Sequence, residues 1–295
     1  MANVLELVLK LSLALFMVGN LLDMGLKLQL QDAVRGLRDV RFVVLSVLWG
    51  FVLLPGLAYA IAKFIPMAHP YAMGLVLLGM TPCAPFLPPM AERAKGDMGY
   101  TAAFMLLASV VTVAYMPFAV PVLVKGLSAS AWTIARPLVL FLLVPFAIGL
   151  SIERRSASLA SRMEPFVKKI TGIDTILMLV LCAVIYGRKF LALGGSHAIG
   201  AQIIFFSIAT VAPYLFSFGL PRSQRTILSL GMATRNLGAA FAPLFAVHEV
   251  DQRAIVMVAL GVLMQAAFSF SAATFYGRSD SENMRAAHAA SGHAR

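Results

Sequence analysis

Long apolar stretches dominate the chain and recur from one end to the other. Each is about 20 residues long, the length with which a helix crosses a hydrocarbon layer of about 30 Å. Reading these stretches against the polar and Gly/Pro-containing segments between them predicts nine transmembrane helices, and therefore an all-α polytopic membrane protein. The predicted spans are 4–26, 42–64, 71–91, 99–123, 131–152, 171–190, 198–220, 226–247 and 254–276.

The composition excludes a soluble fold. Hydrophobic residues make up 60% of the 295 residues and charged residues only 13%, whereas a soluble domain carries roughly 25% charged residues. The first span is too long and too poor in N-terminal cations for a cleaved signal peptide. We expect one transmembrane domain, 1–276, in the lipid bilayer, followed by a disordered cytoplasmic tail, 277–295.

Lys and Arg are distributed unevenly between the two sides that nine spans define. With the N-terminus outside, the cytoplasmic loops and tail hold 16 of these residues, and the opposite side holds 5. The positive-inside rule therefore predicts an inner-membrane protein with its N-terminus outside and its C-terminus in the cytoplasm. This topology signal, together with anionic headgroups, accounts for the net charge of +11. Nucleic acid is not an expected partner, because no basic face with interleaved aromatic residues is present.

The connection between spans five and six combines basic residues with Leu159, Met163 and Phe166. This pattern predicts an amphipathic helix over 153–170 on the cytoplasmic surface, with a plain basic loop as the alternative.

Corresponding spans recur about 150 to 165 residues apart. Span three pairs with span eight and span four with span nine, while spans one and two pair with six and seven. Because an odd number of crossings separates the members of each pair, the two units have opposite orientations. The sequence predicts an inverted repeat of four and five helices, about 4–123 and 131–276, with span five unpaired.

Spans three and eight carry residues that interrupt transmembrane helices. Pro82, Pro85 and Pro88 fall in span three, and Gly231 and Gly238 fall in span eight. Proline frees a backbone carbonyl, which must find a partner other than lipid. Broken helices at matching positions of an inverted repeat indicate a transporter whose site lies near the midplane, where the two helices cross. A merely kinked packing helix is the alternative.

Polar residues near this predicted crossing are the candidate substrate-binding residues. Arg235 comes first, because an arginine at the centre of a span costs at least about 2.5 kcal/mol unless it faces a partner or water. Its guanidinium suits a carboxylate, so we expect it to hold an anionic group of the substrate. The alternative is that it binds carbonyls freed by the broken helices. The further candidates are Thr81, Cys83, Thr234, Asn236 and Gln265.

Several motifs in this order resemble those of the bile acid:sodium symporter family. They are Met24-Gly25-Leu26-Lys27-Leu28 after the first span, Gly79 to Pro82 entering the first broken helix, Ala94-Lys95-Gly96-Asp97 leaving it, and Arg225-Thr226 before the second. The resemblance implies a core domain with two crossing broken helices, a smaller panel domain, and alternating access by relative movement of the two. It also implies that this chain lacks the family's first helix.

The chain departs from sodium-coupled members at the positions that would hold sodium. The resemblance places Leu87 and Pro88 where those members carry Ser-Asn, Gly231 at their shared glutamate, and Arg235 at their glutamine. Sodium needs oxygen ligands and is repelled by a guanidinium. Only Thr101 and Asn236 keep possible ligand character. We therefore expect transport without the two-sodium coupling of the family.

Together these features predict a secondary transporter that moves a small organic anion by alternating access. Na⁺ or H⁺ is a possible coupling ion, and neither a cofactor nor a bound metal is expected. The alternatives are a sodium-coupled symporter of bile acid-like or keto acid substrates and an arsenite-type efflux carrier that uses Cys83. A structural or receptor-like membrane protein also stays open.

Two further classes lack the residues they need. A sodium/proton antiporter requires a carboxylate at the crossing, and spans three and eight have none at mid-depth. An intramembrane enzyme requires a nucleophile, a metal cluster or a carboxylate pair, and the sequence shows no such constellation.

Overall fold

The computed structural model is built of α-helices and describes residues 2–83, 85, 87–124, 130–191, 195–247 and 250–292, with backbone only at 2–3, 6, 189–191 and 280–292. The helices are α1 (Ala2–Lys27), α2 (Leu30–Leu37), α3 (Val40–Leu48), α4 (Leu54–Phe64), α5 (His69–Gly79), α6 (Leu87–Arg93), α7 (Met98–Leu123), α8 (Ala131–Leu138), α9 (Val144–Arg155), α10 (Ala157–Leu191), α11 (Ala198–Leu215), α12 (Arg222–Ala233), α13 (Leu237–Phe245) and α14 (Gln252–Gly292).

Seven helical segments within the described residues are long and apolar enough to cross a membrane. Large apolar side chains such as Leu11, Phe118 and Ile176 point outward from them, as side chains in contact with lipid do. The prediction of an all-α polytopic membrane protein is therefore confirmed. The seven segments are Leu7–Lys27, Val40–Phe64, Met98–Leu123, Ala131–Arg155, Ala157–Arg188, Ala198–Leu215 and Gln252–Ser279.

The two predicted spans missing from these seven are 71–91 and 226–247. Each consists of two short helices instead of one long one: α5 and α6 in the first, α12 and α13 in the second. The first is interrupted between Gly79 and Leu87, and the second between Ala233 and Leu237. The interruptions fall on the proline-rich stretch and on the segment that contains Arg235.

A π-helical turn joins the two halves of spans two and five. These turns are Trp49–Leu53, between α3 and α4, and Val139–Leu143, between α8 and α9. Each lies just before a proline near the start of the next helix, Pro55 or Pro145. Proline cannot donate to the i−4 carbonyl and its ring crowds that carbonyl, so a wider turn accommodates it.

Three helices, α1, α9 and α10, form a group that packs chiefly within itself. Gly25 of α1 and Gly149 of α9 bring two backbones into direct contact: a Cβ on Gly25 would lie 2.4 Å from the carbonyl oxygen of Phe146. Ser12 and Lys27 of α1 contact acidic residues of α10. Small residues and interhelical polar contacts are the usual means of helix association in lipid.

The remaining helices surround the two broken ones. α5 packs against α4 and α14, and α12 packs against α11, α14 and α7. Asp39 caps α3 and accepts hydrogen bonds from Tyr100 of α7 and Gln224 of α12. Burial alone would raise the pKa of Asp39, but these hydrogen bonds together lower it below its ordinary value. The ionised carboxylate therefore links three helices at one end of the molecule.

Helices α10 and α14 are longer than the sequence predicts. The predicted surface helix is not separate, because α10 continues without a break from Ala157 into the sixth span; a single residue, Ser156, separates it from α9. Helix α14 continues to Gly292, beyond the predicted membrane boundary at 276. The disorder expected for 277–295 stays a prediction.

Candidate functional site

The two interruptions meet in the interior and exchange backbone hydrogen bonds. The amide of Asn236 donates to the Thr81 carbonyl (2.9 Å), and the amide of Cys83 donates to the carbonyls of Gly231 (3.1 Å) and Thr234 (3.0 Å). An isolated antiparallel bridge pairs Pro82 with Arg235. Backbone groups released by the two breaks thus bond to each other, which is what unwound backbone needs at membrane depth.

Two threonines close the helix ends next to these breaks. The Thr81 hydroxyl donates toward the Leu77 and Leu78 carbonyls at the end of α5. The Thr234 hydroxyl donates in the same way to the Leu230 and Gly231 carbonyls at the end of α12. Both side chains are fully buried. Their hydroxyls therefore satisfy helix C-termini in this conformation.

Cys83 holds an unusual backbone conformation. Its φ is +72°, in the left-handed region that non-glycine residues seldom adopt. The side chain is buried, and the amide donates to two carbonyls of α12 and its end. Such strain persists only where surrounding contacts over-determine it, and it concentrates at functional sites.

Arg235 is the largest fully buried side chain, with 0% of its surface exposed. Nη1 donates to the Gly79 carbonyl (3.5 Å) and Nη2 to the Met232 carbonyl (2.5 Å). The guanidinium carbon lies 5.0 Å from the centroid of the Phe205 ring, within cation–π range. The backbone amide of Arg235 donates to Gln265 Oε1 (2.6 Å).

The two carbonyls that receive these guanidinium hydrogen bonds lie at the C-terminal ends of α5 and α12. A helix C-terminus carries roughly half a negative elementary charge. Two of them together are therefore comparable to the charge of one guanidinium. No carboxylate in the described part of the chain pairs with Arg235, and its Nε has no partner there.

The positions around Arg235 are filled by the protein itself. Asn236 caps α13 through a hydrogen bond from the Ala239 amide. A Cβ on Gly238 would lie 2.9 Å from Met17 of α1. A Cβ on Gly231 would lie 2.4 Å from the ring of Phe104. The space beside Gly231, where the family resemblance expects a glutamate, is therefore occupied by a buried phenyl ring.

A cavity of about 580 Å³ lies between the α1–α9–α10 group and the helices α6 and α7. Pro88 and Thr101 line it, whereas Arg235 does not. Lys27 stands at its wall and pairs with Asp23 (2.5 Å) and Glu164 (3.3 Å). The other ionisable side chains of its lining are Asp32, Glu92, Glu153 and Lys168.

A second cavity of about 640 Å³ lies near the opposite ends of α1 and α10 and contains none of the predicted binding residues. Those residues divide between two places. Thr101 and Pro88 line the first cavity, and Pro85 lies between Cys83 and Leu87, in the interruption of the first broken helix. We call the place where the two interruptions meet the crossing. The predicted residues that lie there are Thr81, Pro82, Cys83, Gly231, Thr234, Arg235, Asn236 and Gln265.

Several residues at these sites have no counterpart in the sequence prediction. Lys27, Glu164 and Lys168 meet at the cavity because α1 and α10 are neighbours. Phe104 and Phe205 close the crossing around Gly231 and Arg235. For Lys27, Glu164 and Lys168, the sequence shows only charged residues near the ends of spans one and six. Phe104 and Phe205 are aromatic residues within apolar spans, and such residues do not indicate a site.

Comparison with known proteins identifies a family of transporters. The chain matches the profile of the Sodium Bile acid symporter family over residues 13–193. It is 26% identical over 243 residues to a protein of Bacillus subtilis (strain 168) named "Uncharacterized sodium-dependent transporter YocS", an alignment that covers 76% of this chain and 73% of that protein. The profile match includes the first broken helix and ends before the second, which carries Arg235. Because the match spans more than half of the chain, this protein belongs to the sodium bile acid symporter family of membrane transporters.

Proposed function

We propose that this protein is a secondary transporter that moves a small organic anion by alternating access, without the two-sodium coupling of its sodium-coupled relatives. The observation that supports the proposal is which side chains occupy the crossing. Arg235 occupies it with a permanent positive charge, and Phe104 fills the space beside Gly231. A bound cation would face both a guanidinium and an apolar ring there.

In this proposal, the guanidinium of Arg235 takes the place of a bound coupling cation. In other transporters, unwound carbonyls and the C-terminal ends of half-helices coordinate the coupling ion. Here carbonyls at the ends of α5 and α12 accept from the guanidinium instead. This geometry favours the alternative role of Arg235, the binding of carbonyls freed by the broken helices, over the predicted role of holding the substrate's anionic group. Any contact with the anionic group of the substrate would require the crossing to open toward the cavity.

The proposed transport architecture has nine spans, formed by the seven continuous segments and the two broken ones. It is an inverted repeat of four and five helices, with the N-terminus outside an inner membrane and a cytoplasmic tail. The α1–α9–α10 group would serve as the panel and the remaining helices as the core. The packing of α1, α9 and α10 chiefly on one another supports this division.

The cavity between these two groups is the proposed entry point of the substrate. It borders α6, whose first turn follows the crossing, and its cations are Lys27 and Lys168. Since Lys27 already pairs with Asp23 and Glu164, Lys168 is the side chain that we expect to meet an entering carboxylate first.

A sodium-coupled symporter is the second candidate, because the Bacillus subtilis relative is named a sodium-dependent transporter. Thr101 and Asn236 are then the residues left to bind sodium. Both side chains already make local hydrogen bonds: the Thr101 hydroxyl donates to the Asp97 carbonyl, and Asn236 Oδ1 accepts from the Ala239 amide.

Uptake of labelled bile acids, keto acids and other carboxylates into proteoliposomes tests both candidates. We expect saturable uptake of at least one carboxylate that persists when external Na⁺ is replaced by K⁺ or choline. A steep dependence of uptake on Na⁺ would favour the sodium-coupled symporter. The absence of saturable uptake of any anion would contradict the anion-transporter proposal.

A further inference from the structure

A second buried ionisable group lies away from the crossing, between α1 and α10. Asp174 of α10 is 4% exposed, and its Oδ1 accepts a hydrogen bond from the Ser12 hydroxyl of α1 (2.7 Å). Its other oxygen, Oδ2, is buried and has no hydrogen-bond partner in the part of the chain that the structure describes. Asp174 thus presents an acceptor without a donor.

The position of Asp174 is deep. Glu164 pairs with Lys27 at the last residue of α1, and Asp174 follows ten residues later along α10. Ten helical residues span about 15 Å, which is half of a hydrocarbon layer of about 30 Å. An ionised carboxylate at that depth, with a single hydroxyl as donor, is strongly unfavourable.

The ionisable groups on the helices packed against α10 do not offset this charge. Among residues with described side chains, none forms an ion pair with Asp174, and most stand near helix ends. On α1 and α9 these groups are Lys10, Asp23, Lys27, Glu153, Arg154 and Arg155; on α10 itself they are Arg162, Glu164, Lys168, Lys169, Cys182, Tyr186 and Arg188; on α14 they are Arg253, Tyr276 and Arg278.

A line of polar groups leads from the cavity to Asp174. Lys27, Glu164 and Lys168 line the cavity, and Asp23 bonds to Lys27. Further along the same contact, the Thr171 hydroxyl lies against Gly19, where a Cβ would come within 2.4 Å of it. Thr171 and Asp174 are three residues apart, on one face of α10. We call this line the α1–α10 seam.

We propose that Asp174 is a proton-binding site at the inner end of the α1–α10 seam, and that its proton is the coupling ion of transport. In the binding step, Oδ2 takes one proton from a hydronium ion of the cavity water: an O–H bond of the hydronium breaks, an O–H bond forms at Oδ2, and the negative charge of the carboxylate and the positive charge of the hydronium neutralise each other. Release returns the proton to water. Asp23, the other aspartate buried in α1 and α10, also has one oxygen, Oδ1, without a hydrogen-bond partner in the described part of the chain, but its Oδ2 forms an ion pair with Lys27 that offsets its negative charge.

This inference rests on the proposed transport function, so its test has two arms. The first arm is infrared difference spectroscopy of the reconstituted protein between acidic and alkaline pH, which does not require transport. We expect a carboxylic acid carbonyl band that changes with pH in the wild type and is lost in Asp174→Asn. Asp251→Asn is the matched control, since Asp251 is exposed and pairs with Arg253 outside the seam; it should keep the band.

The second arm measures anion uptake driven by a pH gradient in proteoliposomes. We expect a stimulation that falls at least tenfold in Asp174→Asn and is unchanged in Asp251→Asn. Uptake by the wild type that ignores the gradient would overturn the coupling role. If no anion is transported at all, the proposed function fails, and the infrared arm still decides whether Asp174 binds a proton.

Ser12→Ala is a second variant for the infrared measurement, to be used if Asp174→Asn does not fold. The Ser12 hydroxyl donates a hydrogen bond that stabilises the carboxylate. Without it, we expect the pH at which the infrared band changes to rise by about one pH unit. Identical spectra of the wild type, Asp174→Asn and Ser12→Ala at every pH would overturn the proton site.

Discussion

The crossing and the α1–α10 seam each bury an ionisable side chain, and they hold it in opposite ways. Arg235 has two carbonyl partners at helix ends and an aromatic ring against its face. Asp174 has one hydroxyl partner and an oxygen without a donor. A guanidinium keeps its charge in proteins, whereas a buried carboxylate with a single donor can lose its charge by taking a proton. The comparison assigns a constant charge to the crossing and a variable one to the seam.

Arg235→Ala should give the largest effect, because it leaves the buried Gly79 and Met232 carbonyls without donors. Unsatisfied buried groups cost about 1–3 kcal/mol each, so we expect the free energy of unfolding to fall by about 3 kcal/mol. The free energy of unfolding of Arg235→Lys should lie between those of Arg235→Ala and the wild type, because lysine keeps the charge but lacks the planar fork of donors. Thermal unfolding of the purified variants measures both.

Arg136→Ala is the matched control for this pair. Arg136 also lies within a predicted span, but its side chain is exposed. Its removal should leave the melting temperature nearly unchanged. Equal melting temperatures for Arg235→Ala and Arg136→Ala would show that the carbonyls of the crossing do not depend on the guanidinium.

The contact of α1 with α9 should tolerate no added atom. Gly25→Ala places a Cβ 2.4 Å from the Phe146 carbonyl oxygen, so the two backbones must separate at a cost of about 2 kcal/mol. Gly172→Ala on α10 is the control, since nothing lies within 4 Å of its Cβ. That variant should gain about 0.5–1 kcal/mol from the better helix former. Melting temperatures that move in the same direction for both would contradict this packing.

Ser12→Ala should have the smallest effect on stability. Interhelical hydrogen bonds in membranes contribute about 0.6 kcal/mol on average. Asp174 can compensate for the lost Ser12 hydrogen bond by taking a proton, because the neutral carboxyl group needs the hydroxyl donor less than the carboxylate does. Chemical unfolding in mixed micelles at neutral pH provides the measurement. A loss as large as that of Arg235→Ala would mean that the seam is held as rigidly as the crossing.

Much of the fold follows from local sequence signals. Apolar length alone predicts the seven continuous segments, and Pro82, Gly231 and their neighbours mark where the two other spans break. The existence of α10 was also predictable, but its continuity from Ala157 through the sixth span was not, because polar residues before Ile170 resemble a surface element. The short helix α2 lay below the length that a hydropathy pattern detects.

The candidate site was only half predictable, since its chemistry depends on contacts between distant residues. The cost of a buried arginine points to Arg235 from the sequence alone, and so do the polar residues beside it. Its partner Gly79 lies 156 positions away, and Ser12 lies 162 positions from Asp174. The same cost argument applied to span six would have identified Asp174, but not the hydroxyl that it bonds to or the oxygen that lacks a partner.

The proposed function depends on the guanidinium of Arg235 taking the place of the cations that sodium-coupled relatives bind. Equilibrium binding of radioactive Na⁺ to the purified protein is the measurement that decides this point, with the Bacillus subtilis relative measured alongside. We expect no saturable sodium binding to this chain at neutral pH, in the presence or absence of a transported carboxylate. Saturable binding of one or two sodium ions per chain would contradict it.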